Sequence, residues 1–174
     1  MTIMKNITLI IISALVIFFG SCKEPCEDVN CNAGNCLEGV CNCDEGYEGT
    51  NCESEVRAKY IGTWSGPNMC DNEFIELETI TLVISESEEN IQDLKMEIVI
   101  EGPAEIPLPP ENATLFGNAF ETGPTITNIL GSDFTFSSDG IFKSNTELSL
   151  DFVVSGEFQS FPLVFNCTAD LTKQ

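Results

Sequence analysis

The chain has 174 residues, enough for one or two small domains. Its 28 acidic side chains against 7 basic ones leave a net charge of −21 at neutral pH, which repels nucleic acid and anionic lipid headgroups and argues against both as partners. Histidine is absent, removing the commonest general base and the commonest zinc ligand, and nine cysteines point to an oxidising compartment if the chain is exported.

An export signal opens the chain. Residues 1–6 carry Lys5 as their only charge, and residues 7–19 are mostly apolar. That run falls short of the roughly 20 residues needed to span a bilayer, and small residues follow it, the pattern of a cleaved signal peptide. Gly20-Ser21-Cys22 resembles a bacterial lipoprotein signal, with Phe19 at the position usually held by leucine. The resemblance implies cleavage before Cys22 and lipidation of its thiol. Acyl chains contribute about 0.8 kcal/mol per buried methylene, so two or three of them anchor a protein durably. Lys23-Glu24 directly after the cysteine looks like the export signal of surface lipoproteins in the Bacteroidetes. Together these imply a chain lipid-anchored in a bacterial outer membrane and displayed at the cell surface.

Cysteines then fall at 26, 31, 36, 41, 43 and 52. Spacing alone allows 15 pairings of six cysteines. A segment this short cannot bury enough apolar surface to fold, and disulfides substitute for the missing core. Gly46 and Gly49 permit unusual backbone angles, Tyr47 offers an apolar face, and Leu37-Glu38-Gly39-Val40 reads as the tip of a short hairpin. Two separated CxxC pairs, as a zinc ribbon needs, are absent. Cys41-x-Cys43, Gly46-Tyr47 and Gly49-x-x-Cys52 resemble the end of an EGF-like domain. The resemblance implies the bridges Cys26–Cys36, Cys31–Cys41 and Cys43–Cys52. The oxygen ligands of calcium-binding members are mostly missing, and Glu27 and Asp28 read as solvated charge, so a calcium-free spacer is expected.

After a polar connector over 53–59, the chain turns to period-two alternation. Leu94, Met96, Ile98 and Ile100 share one face, as do Leu148, Leu150, Phe152 and Val154, and then Phe161, Leu163, Phe165, Cys167, Ala169 and Leu171. Between Phe74 and Ile84 the apolar face switches near Thr79, which suggests a bulge. Turns are expected at 86–90, at Ser137-Ser138-Asp139-Gly140 and at Ser155-Gly156, and the proline-rich 106–110 must be a loop or edge. Seven or eight strands without an amphipathic helix predict an all-β sandwich or small barrel, so the whole chain reads as mostly β: a disulfide-rich module plus an antiparallel β domain. Cys70 and Cys167 remain, and joining them closes a loop of about 100 residues, worth about 4–5 kcal/mol in the chain-entropy model. Gly62-Thr63-Trp64 on the first strand resembles the start of a lipocalin, which implies a barrel closed at its base by the tryptophan and able to carry a small apolar ligand.

The boundaries read this way are a signal peptide over 1–21, a lipidated tether over 22–25, an EGF-like module over 26–52, a linker over 53–59 and a β domain over 60–174. The arrangement resembles small surface lipoproteins of the Bacteroidetes. The expected function is a non-catalytic binding or adhesion module for an extracellular protein or glycan, with a carrier of a small hydrophobic ligand as the alternative. No catalytic, metal or cofactor-binding residue is assigned: Glu76, Glu78, Asp93 and Glu97 read as the wet faces of strands, the acidic loop Ser85 to Asn90 as a solvated turn, and the Asn112 and Asn166 glycosylation triplets as coincidental. Replacing Cys22 with serine is expected to move the protein from the membrane to the soluble fraction of lysed cells. Retention of the Cys22→Ser variant on the membrane would mean that something else anchors it.

Overall fold

A computed structural model describes residues 24–71, 79–101, 106–129, 131–158 and 160–174. The readings at Cys22, Phe74, Glu76 and Glu78 lie outside the described residues. Two compact units emerge, one of residues 24–44 with Gly49–Glu53, the other of Glu45–Glu48 with Ser54–Gln174.

The first unit fits an EGF-like module. Strands β1 (Gly34–Leu37) and β2 (Val40–Cys43) pair as an antiparallel hairpin with Leu37 opposite Val40. Both residues of its turn have positive φ, 51° at Glu38 and 85° at Gly39, as a two-residue loop matching strand twist requires. Disulfides join Cys26 to Cys36, Cys31 to Cys41 and Cys43 to Cys52, and they replace the core that so short a segment lacks.

The second unit begins with β3 (Tyr47–Glu48) paired to β4 (Ser54–Glu55), and a 3₁₀ turn over Val56–Lys59 follows. The next strands are β5 (Gly62–Cys70), β6 (Thr79–Glu86), β7 (Asp93–Glu101) and the two-residue β8 (Ile106–Pro107). After them come β9 (Glu111–Phe116), β10 (Ala119–Thr122), β11 (Thr125–Ile129), β12 (Ser132–Phe142), β13 (Glu147–Phe158) and β14 (Phe161–Lys173). All pair antiparallel, and two contacts close the sheet on itself: β14 pairs with β5, and β10 pairs with β12. The result is a closed barrel of eight staves, β5, β6, β7, β9, β10, β12, β13 and β14, with β8 added to β7 and β11 to β12. Of the two architectures expected, the barrel is the one formed. Pro107 sits in β8, beside the end of β7, where its missing N–H costs little.

Alternation sends one face of every stave inward. Ile80, Leu82 and Ile84 of β6, Leu94, Met96, Ile98 and Ile100 of β7, and Leu148, Leu150 and Phe152 of β13 are buried. On β14 the inward set holds from Phe165 to Leu171, but Phe161, expected on that face, is 71% exposed. It lies at the tip of the β13–β14 hairpin, beyond the last described pairings of β14 with β5 and of β13 with β12.

Two expected turns are not turns. Ser137-Ser138-Asp139-Gly140 lies within β12, and Ser155-Gly156 within β13. Ser138, Gly140 and Gly156, small residues in these segments, share the inward phase and leave room. A Cβ at Gly140 would collide with the Phe120 ring, so glycine allows β10 and β12 to close the barrel over that side chain. The chain reverses instead at Gly117-Asn118 and at residues 143–146.

The base is sealed by aromatic rings. Tyr60 stacks on Phe142 at 3.8 Å between centroids, and Trp64, fully buried, lies against Phe142 and donates its indole N–H to the Tyr60 carbonyl at 2.9 Å. Lys173 at the end of β14 donates to the Lys59 carbonyl at 3.0 Å, with its ammonium 5.7 Å from the Trp64 ring centre. Arg57 of the 3₁₀ turn donates through Nη1 to the carbonyls of Ser87, Asn90 and Asp93, which pins the β6–β7 loop to the base.

At the other end of the β5–β14 seam, Cys70 stands opposite Cys167 and is bonded to it. Beside the bridge, Asp71 accepts from the backbone and side-chain nitrogens of Asn166 at 3.0 and 2.7 Å. The Asn166 side-chain bond above all holds the Asp71 carboxyl below its ordinary 3.8, and at Asp170 the hydrogen bond and charge of Lys143 act in the same sense. The stabilisation both supply is present above the ordinary carboxylate value and fades as pH falls through the lowered ones.

The bridge closes a 97-residue separation on a seam already hydrogen-bonded. A Cys70→Ala/Cys167→Ala double variant is expected to lose up to about 4–5 kcal/mol in a denaturant titration. An unchanged midpoint would show that strand pairing alone holds the seam.

Candidate ligand site in the barrel interior

Side chains facing into a barrel stand in an almost wholly apolar medium, so any polar group among them needs a partner. Among the described residues, four such side chains face inward. Asn68 lies on β5, Glu111 on β9, Thr122 on β10 and Ser138 on β12, all buried and all in phase with apolar inward neighbours.

Thr122 and Ser138 satisfy each other. Their hydroxyl oxygens are 3.0 Å apart, and the Ser138 backbone N–H donates to the Thr122 hydroxyl at 2.9 Å. Glu111 and Asn68 do not fit this pattern. Each is 8% exposed, and both Glu111 carboxylate oxygens and both Asn68 amide atoms are buried with no hydrogen-bond partner among the described residues.

The pairing pattern shows how these residues are disposed. Thr122 stands opposite Ala113, two residues along β9 from Glu111, and β12 brings Ser138 against Thr122. Glu111, Thr122 and Ser138 therefore form a polar strip on three consecutive staves. Going round the ring, β5 lies midway from β10 in either direction, so Asn68 faces this strip from the opposite wall. An orphaned amide costs about 1–3 kcal/mol, and an uncompensated buried carboxylate costs several. A fold that keeps both tolerates a local instability that a bound molecule with matching groups would relieve.

The residues singled out from the sequence lie elsewhere. The four disulfides are structural, Glu97 is exposed on the outer wall, and the Asp93 carboxylate accepts from Thr114 at 2.9 Å. The acidic 86–90 loop is organised by Arg57 through its carbonyls. Among the described residues no group of three or more His, Cys, Asp or Glu side chains stands together as metal ligands would. Sequence reasoning missed all four interior polar residues. Asn68 shares its phase with Trp64, and Glu111 with Ala113 and Leu115, so a polar residue at an apolar-phase position was the available signal. At Ser138 the turn-like composition concealed it.

No family model matches the chain, and no curated protein matches it. Among solved structures, one described as EF1p2_mFAP2b bound to DFHBI aligns with 67% of this chain and 94% of that chain, at 11% sequence identity and a TM-score of 0.47.

If Glu111 and Asn68 are kept for a ligand, removing them should stabilise the empty protein. Glu111→Leu and Asn68→Leu are each expected to raise the ligand-free unfolding free energy by about 1–3 kcal/mol. A loss of stability in either variant would mean that the side chain has a structural partner.

Proposed function

We propose that the chain is an exported, non-catalytic binding protein, lipid-anchored through Cys22 at a bacterial outer surface, whose barrel takes a small molecule into its interior. The disulfide-stapled unit acts as its spacer from the membrane. One observation carries the reading: two buried, unpaired polar side chains face the interior from opposite walls of a closed barrel. Eight-stranded barrels are the size class that either fills with side chains or holds one small ligand. The absence of histidine and of a Gly-x-Ser-x-Gly motif supports binding over catalysis.

A second reading, in which the outer wall binds a protein or glycan, has its own observation. Met69, Val153 and Val164 stand exposed on the adjacent staves β5, β13 and β14, where the rest of the surface is rich in acidic and hydroxyl side chains.

Native mass spectrometry of the mature chain carrying Cys22→Ser, made in an oxidising periplasm, separates the two. The interior reading expects a retained adduct of a few hundred daltons that leaves on denaturation. A bare protein, eight hydrogens lighter than the reduced chain because of its four disulfides, would shift the function to the outer wall.

A further inference from the structure

An interior carboxyl group without a partner is open to pairing with a cation, and among the described residues none stands against Glu111. Histidine is absent, and of the seven Lys and Arg residues Lys5 and Lys23 lie outside the described residues. The other five are engaged elsewhere. Arg57 pairs with Glu55 and caps loop carbonyls, and Lys59 bonds Glu48. Lys95 pairs with Glu97, Lys143 with Asp170, and Lys173 bonds the Lys59 carbonyl over the Trp64 ring. A cation paired with Glu111 would therefore come from outside the described chain.

We propose that the barrel interior selects a small molecule with a protonated amine head and an apolar body, Glu111 serving as counter-ion and Asn68 meeting a hydrogen-bonding group at the other end. The proposal rests on the interior-binding reading above and names its ligand class. Three features support an organic ammonium. A hard metal ion wants six or more oxygens, and among the described residues Glu111 stands in no cluster of acidic side chains. The walls near the polar strip carry Phe136, Phe152 and Ile98, which suit an apolar body. The net charge of −21 also concentrates cations around the molecule and repels anions from it. Asn68 has both a donor and an acceptor free, so it matches a hydroxyl or carbonyl without a charge requirement.

The test is isothermal titration of the mature Cys22→Ser chain, so that no acyl chain competes, with three probes sharing one eight-carbon body: octylamine, 1-octanol and octanoate. Octylamine is expected to bind at least about tenfold tighter than either of the others, the ratio a charge-assisted hydrogen bond supplies. Glu111→Gln, nearly isosteric, is expected to bring the octylamine to octanol ratio close to one while changing octanol affinity little. Equal affinities, or preference for octanol or octanoate, would overturn the amine selection and leave interior binding standing. Binding of none of the three, combined with an adduct-free native spectrum, would overturn both. The head-group comparison is made with Glu111 in place, so it decides even if the Glu111→Gln chain does not fold.

Discussion

Closure of the sheet is the constraint on which everything else in the barrel unit depends. A β-sheet with a free edge exposes unpaired N–H and C=O groups, and only pairing the last stave with the first abolishes that edge. Here β14 runs back along β5, with Cys70 bonded to Cys167 at one end and Lys173 reaching the Lys59 carbonyl at the other. Between those two ties the inward faces of all eight staves share one core. The aromatic base follows from the same geometry, because Trp64 and Phe142 meet only when β5 and β12 belong to one ring.

Closure also defines what kind of interior is possible. Inward positions that must accept a neighbouring ring are small, as Gly140 is beneath Phe120. Where the wall carries Ser138 and Thr122, the two hydroxyls consume each other's hydrogen-bonding capacity. Glu111 and Asn68 then stand as the groups whose requirements the described protein does not meet. Buried polar groups without partners are rare in stable folds.

The disulfide-rich unit and the barrel solve the problem of small size differently. The first is too short for a core, and three bridges hold its hairpin. The second has a core of more than twenty buried apolar side chains, which carries it without such stapling except at the seam. Disulfide use follows from this: dense where apolar surface is scarce, a single bridge where it is ample.

Much of the fold was legible. The six-cysteine spacing marks the first unit, and strict alternation on β7, β13 and β14 marks half-buried strands, because side-chain direction in a strand has a period of two whatever its partners. The polar residues at 137–140 and 155–156 were misleading, since composition cannot distinguish a turn from a stave that must leave room for a ring on another strand. Phe161 was misread for the converse reason: its phase is inward, but it stands at a hairpin tip beyond the last described pairings of the neighbouring strands.

What the sequence by itself determined was local: strand periodicity, cysteine spacing and the scarcity of cations. What only the tertiary structure decided was which of those strands close, and so which side chains meet. Asn68 and Glu111 are 43 positions apart and on staves separated by others, so their shared interior is a property of the ring and not of either segment. Burial, and with it the absence of a hydrogen-bond partner, exists only once every stave is in place.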